Sequence, residues 1–215
     1  MPSSLSVERL RCARCLRPHS ACICQWITPT AHRVEVVVLQ HPLEVNQAKG
    51  SARLLHLSLP RSILVTGEVF SEAALQALIS APLQPQDADK TPRHTLLLYP
   101  DSPPGQSPGL PAPPAMAPAL LADAGRLRLI VLDGTWRKSR KMLYLNPLLQ
   151  QLPRLALRDT PASRYRIRKA HLPDQLSTLE ATCAALAQLE EKADGFEPLL
   201  AAFDGFVAQQ SIYRA

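Results

Sequence analysis

From Arg33 onward, short apolar runs alternate with stretches in which apolar positions recur every three or four residues. Val34-Glu35-Val36-Val37-Val38-Leu39, stopped by Gln40-His41-Pro42, predicts a buried β-strand, because a short β-branched run suits a strand covered on both faces. Ile63–Thr66, Thr95–Tyr99 and Leu127–Leu132 repeat the pattern, and Leu155-Ala156-Leu157 predicts a short fifth strand. Between them the period lengthens. Ala48–Leu57 sets Ala52 and Leu55 on one helical face with Leu59, and Ser71 is placed to cap a helix ending at Ile79. Helices are also predicted over Ala115–Ala124 and Trp136–Leu145, the latter broken by Asn146-Pro147, with a short helix running on to Leu152. Two more, Leu176–Lys192 and Glu197–Gln210, flank Asp194-Gly195.

This alternation predicts an α/β fold with a mainly parallel sheet flanked by helices. Ligands of such sheets bind beyond the carboxyl ends of the strands, so the residues following Leu39, Tyr99 and Leu132 are the first candidates. Residues 1–30 stand outside the pattern. Polar and Cys-rich, they predict a small N-terminal module ahead of a catalytic domain over 31–215. Residues 100–118 hold eight of the 21 prolines, which forbids regular structure and predicts a long mobile loop.

A length of 215 residues suits one main domain with an appendage, and 46% hydrophobic residues with only 5% aromatic imply a core of Leu, Ala and Val. The net charge of +6 is uneven. Residues 126–172 contain 12 Lys/Arg and two acids, net +10, and the rest of the chain sums to −4. Such a stripe points to a polyanion, nucleic acid first. No apolar run approaches the roughly 18–20 residues that span a bilayer, so no membrane partner is expected. Met1–Arg14 lacks a secretory apolar region, and a cytoplasmic monomer or homodimer is the expectation.

In a reducing compartment the spacing Cys12-x2-Cys15-x6-Cys22-x-Cys24 reads as a metal site rather than a disulfide framework. Four thiolates complete the tetrahedral shell of a structural Zn²⁺, and Arg11, Arg14 and Arg17 offset their charge. His19 is an alternative ligand; unmetallated or redox cysteines are the competing readings. Cys183, among Ala and Leu, reads as a small buried apolar residue.

The densest chemistry follows the fourth strand: Asp133-Gly134-Thr135-Trp136-Arg137-Lys138-Ser139-Arg140-Lys141. Alone, Asp-Gly after a buried strand is a turn. Its company suggests more: a carboxylate at the ligand edge, a Trp able to stack on a base, and the cations Arg137, Lys138, Arg140 and Lys141. A carboxylate beside a cationic helix could act as general base on an RNA whose phosphates that helix holds. Arg164, Tyr165, Arg166, Arg168 and Lys169 form either a solvated edge strand or an extension of that RNA surface, with Tyr165 available for stacking and Arg53 near the same edge. Ser177-x-x-Glu180 is a capping box, and the helix N-terminus behind it also suits a carboxylate ligand.

Asp133-Gly134-Thr135-Trp136 and the basic run through Met142 resemble the DTW-domain proteins. The four-Cys head, Gln40-His41-Pro42-x-Glu44, Leu98-Tyr99-Pro100 and Ser177-Thr178-Leu179-Glu180 agree with that family in order, so the resemblance covers most of the chain. The Pro-rich stretch 101–118 is longer than the family pattern leads one to expect. The resemblance implies a SPOUT-like fold with a C-terminal knot and an S-adenosylmethionine-dependent transferase. Such an enzyme moves the 3-amino-3-carboxypropyl group to N3 of a tRNA uridine, at position 47 in the variable loop, and releases methylthioadenosine. It implies Asp133 as base or positioning group, and Leu98, Tyr99, Pro100, Leu132, Thr135, Trp136, Ser177, Thr178 and Glu180 on the cofactor side. The competing expectations are the same transfer to ribosomal RNA, a SPOUT-type RNA methyltransferase, and a non-catalytic zinc-containing RNA-binding module.

Overall fold

Five parallel strands in the order β2-β1-β4-β3-β5 organise the computed structural model, which describes residues 10–84, 93–100, 111–158, 163 and 176–212. In chain order the elements are β1 (Glu35–Gln40), α1 (Ala52–Ser58), β2 (Ser62–Thr66), α2 (Glu72–Ser80), β3 (His94–Leu98), β4 (Leu127–Asp133), α3 (Trp136–Leu145), α4 (Pro147–Gln150), β5 (Arg154–Leu155), α5 (Thr178–Glu190) and α6 (Glu197–Ile212). β1 and β4 are central, paired from Glu35↔Arg128 to Gln40↔Asp133.

Alternate side chains of these strands enter different cores, as the two-residue period requires. Val36, Val38, Leu96, Leu129 and Val131 pack with α5 and α6, while Val37, Leu39, Leu97, Ile130 and Leu132 pack with Met142, Leu143 and Leu149 of α3 and α4. A sheet buried on both faces explains why its strands were legible as unbroken apolar runs. The N-terminal segment belongs to the first of these layers. Cys15 and Ile23 are buried with Phe203, Phe206 and Val207 of α6, and the Trp26 ring lies against Gly205, where a Cβ would collide with it.

Several boundaries differ from the sequence expectation. α1 starts at Ala52, since Ala48-Lys49 forms a turn, closed by the Gly50 N–H on the Gln47 carbonyl, before Ser51. The helix expected over Ala115–Ala124 is two short 3-10 turns, Pro118–Ala122 and Ala124–Arg126; Pro118 lacks the N–H that an earlier helical start would need. The fifth strand is Arg154–Leu155 rather than 155–157. Residues 111–117 carry no regular structure, and 101–110 lie outside the described residues.

At the amino edge of the sheet, Glu35 is buried among arginines. Arg128 reaches its Oε2 with Nε and Nη2 (3.0 and 2.7 Å) and also donates to the Leu78 and Ala81 carbonyls at the end of α2. Arg61 and Arg93 approach Oε1 at 3.2 and 3.3 Å. No helix among the described residues is long and apolar enough to cross a membrane.

Candidate active site

Asp133 closes β4 at the carboxyl edge of the sheet, beside Gln40 at the end of β1. The residue is 6% exposed. Gln40 donates its amide N–H to Oδ2 (2.9 Å), and Thr178, the first residue of α5, donates its hydroxyl to Oδ1 (2.7 Å). Both oxygens are therefore aimed by neutral donors from elements on either side. The Asp133 carbonyl also accepts the His41 N–H (2.9 Å), which ties the turns after β1 and β4 together.

α3 starts three residues later because Thr135 caps it, its hydroxyl accepting the Lys138 N–H. That start leaves Trp136 52% exposed, its ring edge-on to Tyr99 at 5.8 Å between centroids. Burial pushes the Tyr99 phenol above its ordinary pKa. The predicted capping box is present: the Glu180 N–H reaches Ser177 Oγ (3.2 Å), and Glu180 Oε2 accepts the Ser177 N–H (2.7 Å). Ser163 donates to the same carboxylate, and the Leu179 N–H is taken by Ser51 Oγ. The N–H groups of Ser177, Leu179 and Glu180 are thus engaged within the protein, so the start of α5 is less open to an anion than the sequence implied.

Two cavities flank this seam. The first, about 270 Å³, is lined by Leu98, Tyr99, Pro100, Leu132, Trp136, Ser177 and Thr178, all expected on the cofactor side, and by Val131, Gly134, Ser139, Leu155, Ala156, Leu157, Leu176 and Ala181, which sequence reasoning missed. The second, about 260 Å³, is lined by Glu44, Gln47, Lys49, Gly50, Ser51, Asp133, Gly134, Thr135, Lys138, Ser177 and Thr178. They share Gly134, Ser177 and Thr178. Thr135 lines only the second cavity and Glu180 lines neither.

Of the expected RNA contacts, Arg137, Arg140 and Lys141 are exposed on α3, whereas Lys138 is half-buried and paired with Glu44 at 2.6 Å. Lys141 Nζ meets Glu68 Oε2 at 2.9 Å, and His41 Nε2 lies 2.9 Å from Glu68 Oε1. Lys141 first and His41 second hold the Glu68 carboxyl below its ordinary pKa. His41 Nδ1 accepts the Leu43 N–H in the turn after β1, which leaves the Nε2–H to donate to Glu68. Arg53 is half-buried on α1. Arg164, Tyr165, Arg166, Arg168 and Lys169 lie outside the described residues.

Far from Asp133 in sequence, the Sγ atoms of Cys12, Cys15, Cys22 and Cys24 lie within 4.8 Å of one another. Backbone N–H groups of Cys15 and Arg14 turn toward Cys12 and lower its pKa to about 6, while burial pushes Cys24 up to about 12. Four sulfurs around one point, with backbone amides aimed at one of them, suit a closed tetrahedral Zn²⁺ site. Cys183 is buried, with its thiol pushed up to about 12 by burial.

A parallel α/β sheet with adjoining cavities at its carboxyl edge, a buried carboxylate in the second of them and a four-cysteine cluster defines the class of protein. The chain belongs to the DTW domain family, whose model matches residues 9–211. It is 30% identical over 197 residues to tRNA-uridine aminocarboxypropyltransferase 2 of Drosophila melanogaster, an alignment covering 87% of this chain and 69% of the relative. Proteins of the same name from Macaca fascicularis and Mus musculus are each 28% identical over 195 residues, with 89% of this chain and 60% of theirs covered. No solved structure matches the chain.

Proposed function

We propose that this chain transfers the 3-amino-3-carboxypropyl group of S-adenosylmethionine to N3 of a tRNA uridine, with position 47 of the variable loop as the target and methylthioadenosine as the by-product. The observation that carries the reading is Asp133, buried and doubly oriented in the second of two adjoining cavities in a chain of this family. The names of the relatives supply the reaction class.

The residues of the first cavity fit the co-substrate. Leu98, Val131, Leu132, Leu155 and Leu157 give it apolar walls for a nucleoside, Trp136 and Tyr99 offer ring surface, and Ser177 and Thr178 add polar atoms at one end. When bound, S-adenosylmethionine supplies an activated carbon and a neutral thioether as leaving group, so catalysis demands orientation and a proton acceptor. Asp133 holds the N3–H, or takes its proton, while Gln40 and Thr178 fix the carboxylate's direction. Arg137, Arg140 and Lys141 on α3, with Arg53, neutralise RNA phosphates beside the site, and Arg164, Tyr165, Arg166, Arg168 and Lys169, outside the described residues, belong to the same proposed RNA surface by their sequence. The same reading includes the SPOUT-like knot, a cytoplasmic location, residues 1–30 as a zinc module ahead of a catalytic domain over 31–215, and Zn²⁺ held by Cys12, Cys15, Cys22 and Cys24 as a structural ion.

Incubation of the protein with S-adenosylmethionine and bulk tRNA is expected to yield methylthioadenosine and an aminocarboxypropyl-modified uridine by mass spectrometry. Formation of S-adenosylhomocysteine alone would replace this reading with methylation. Asp133→Ala should lower turnover by about 10²–10⁴-fold, with tRNA affinity nearly retained in a filter-binding assay.

A further inference from the structure

In the proposed reaction the co-substrate occupies the first cavity, and the second, which contains Asp133, adjoins it. We infer that the second cavity is the acceptor subsite, that it takes an extruded uracil base, and that Lys138 is a catalytic group within it, stabilising the negative charge that develops on the base as N3 loses its proton. The inference rests on the proposed transfer reaction and names the part of the site that activates the nucleophile.

Position comes first. In-line transfer needs the acceptor nitrogen about 3–3.5 Å from the reacting carbon, so its pocket must abut the co-substrate cavity. The two cavities share Gly134, Ser177 and Thr178, and Asp133 lines only the second. A base inside a folded RNA reaches such a recess only by leaving its stack, as enzymes acting on bases generally require.

Chemistry comes second. The recess holds the buried Asp133 carboxylate with two cations, Lys49 and Lys138, and a second carboxylate, Glu44, that is paired with Lys138. A carboxylate repels phosphate and calls for an N–H donor, whereas the ammonium groups call for oxygen. An imide N–H between two carbonyls, as at uracil N3, supplies that pattern. Cytosine presents a lone pair at N3, which would face the Asp133 carboxylate. Guanine flanks its N1–H with an amino group on one side, which would meet a lysine.

Energetics comes third. A neutral imide nitrogen is a poor nucleophile, and its anion spreads charge over O2 and O4. In the step, the N3–C bond forms, the C–S bond breaks with its electron pair leaving on sulfur, and the N3 proton passes to Asp133. A fixed cation beside the carbonyl oxygens stabilises that developing charge, as an oxyanion hole does. Lys138 is such a cation. Its position on α3 follows the Thr135 cap, Glu44 Oε1 anchors it at 2.6 Å from the turn after β1, and that bond uses one of the ammonium's three donors. Glu44 is then a positioning residue.

The test compares wild type with Lys138→Met and Lys138→Arg on one tRNA transcript made with uridine or with 5-fluorouridine, whose N3 is more acidic. For Lys138→Met, kcat is expected to fall about 10²-fold near neutral pH. The deficit should narrow as pH rises and should be smaller on the 5-fluorouridine transcript, with KM for S-adenosylmethionine unchanged and Lys138→Arg recovering most of the rate. A deficit equal at every pH and on both transcripts, one confined to KM for tRNA, or an Arg variant as impaired as the Met variant would overturn the assignment. Wild type giving no aminocarboxypropyl product on either transcript would instead overturn the transferase reading beneath it.

Discussion

Asp133 and Thr178 are 45 residues apart, yet one hydrogen bond of 2.7 Å makes them a single device. Thr178 lines both cavities, so its hydroxyl links the direction of the carboxylate to the wall between them. Thr178→Val keeps the shape and removes the donor; Thr178→Ser keeps the donor. With the donor to Asp133 Oδ1 lost, kcat for Thr178→Val should fall about tenfold or more, because small displacements of a positioned group are costly. Thr178→Ser should stay near wild type, and melting temperatures should separate this effect from unfolding. Asp133 was legible in the sequence as a carboxylate after a buried strand with cations behind it. Gln40 was not read as a site residue, since a polar side chain closing an apolar run looks like a strand terminator.

Among the elements, the sheet was the most legible part, for burial on both faces writes each strand as an apolar run. The ends were less so, because hydrophobic patterning counts side chains whereas the ladder counts backbone: β1 includes Gln40, whose register pairs it with Asp133 and Thr66. The second cavity was illegible for a related reason. Its outer wall, Glu44 to Ser51, is mostly a non-periodic turn with no pattern to read. At the opposite edge, Glu35 of β1 and Arg128 of β4 form a buried pair that also grips the end of α2. Glu35→Gln would leave the Arg128 guanidinium buried without its counter-charge, so chemical denaturation should show a loss of about 3–5 kcal/mol. A loss under 1 kcal/mol would mean that neighbouring groups replace the carboxylate.

At the scale of the molecule, the cysteine head is joined to the acceptor recess through one arginine. Arg17 stacks its guanidinium over Phe206 of α6 (5.3 Å) and donates to the carbonyls of Ala48 and Gly50, in the turn that supplies Gln47, Lys49 and Ser51 to the second cavity. The head is itself pinned to α6, since Gln209 accepts from the Trp26 indole and donates to the Cys22 carbonyl. A metal-closed head would therefore hold Arg17 in place, and Arg17 would hold the recess wall. Arg17→Met keeps most of the aliphatic stem and removes the charged donors, which should cost about 1–3 kcal/mol. If the coupling operates, KM for tRNA rises several-fold while KM for S-adenosylmethionine stays constant, because the first cavity has no wall in this turn. Chelation of the wild-type protein should reproduce that asymmetry and add little to the Arg17→Met variant, since both act through the same contact. Equal effects on the two substrates would show that the head supports the fold as a whole rather than the acceptor side.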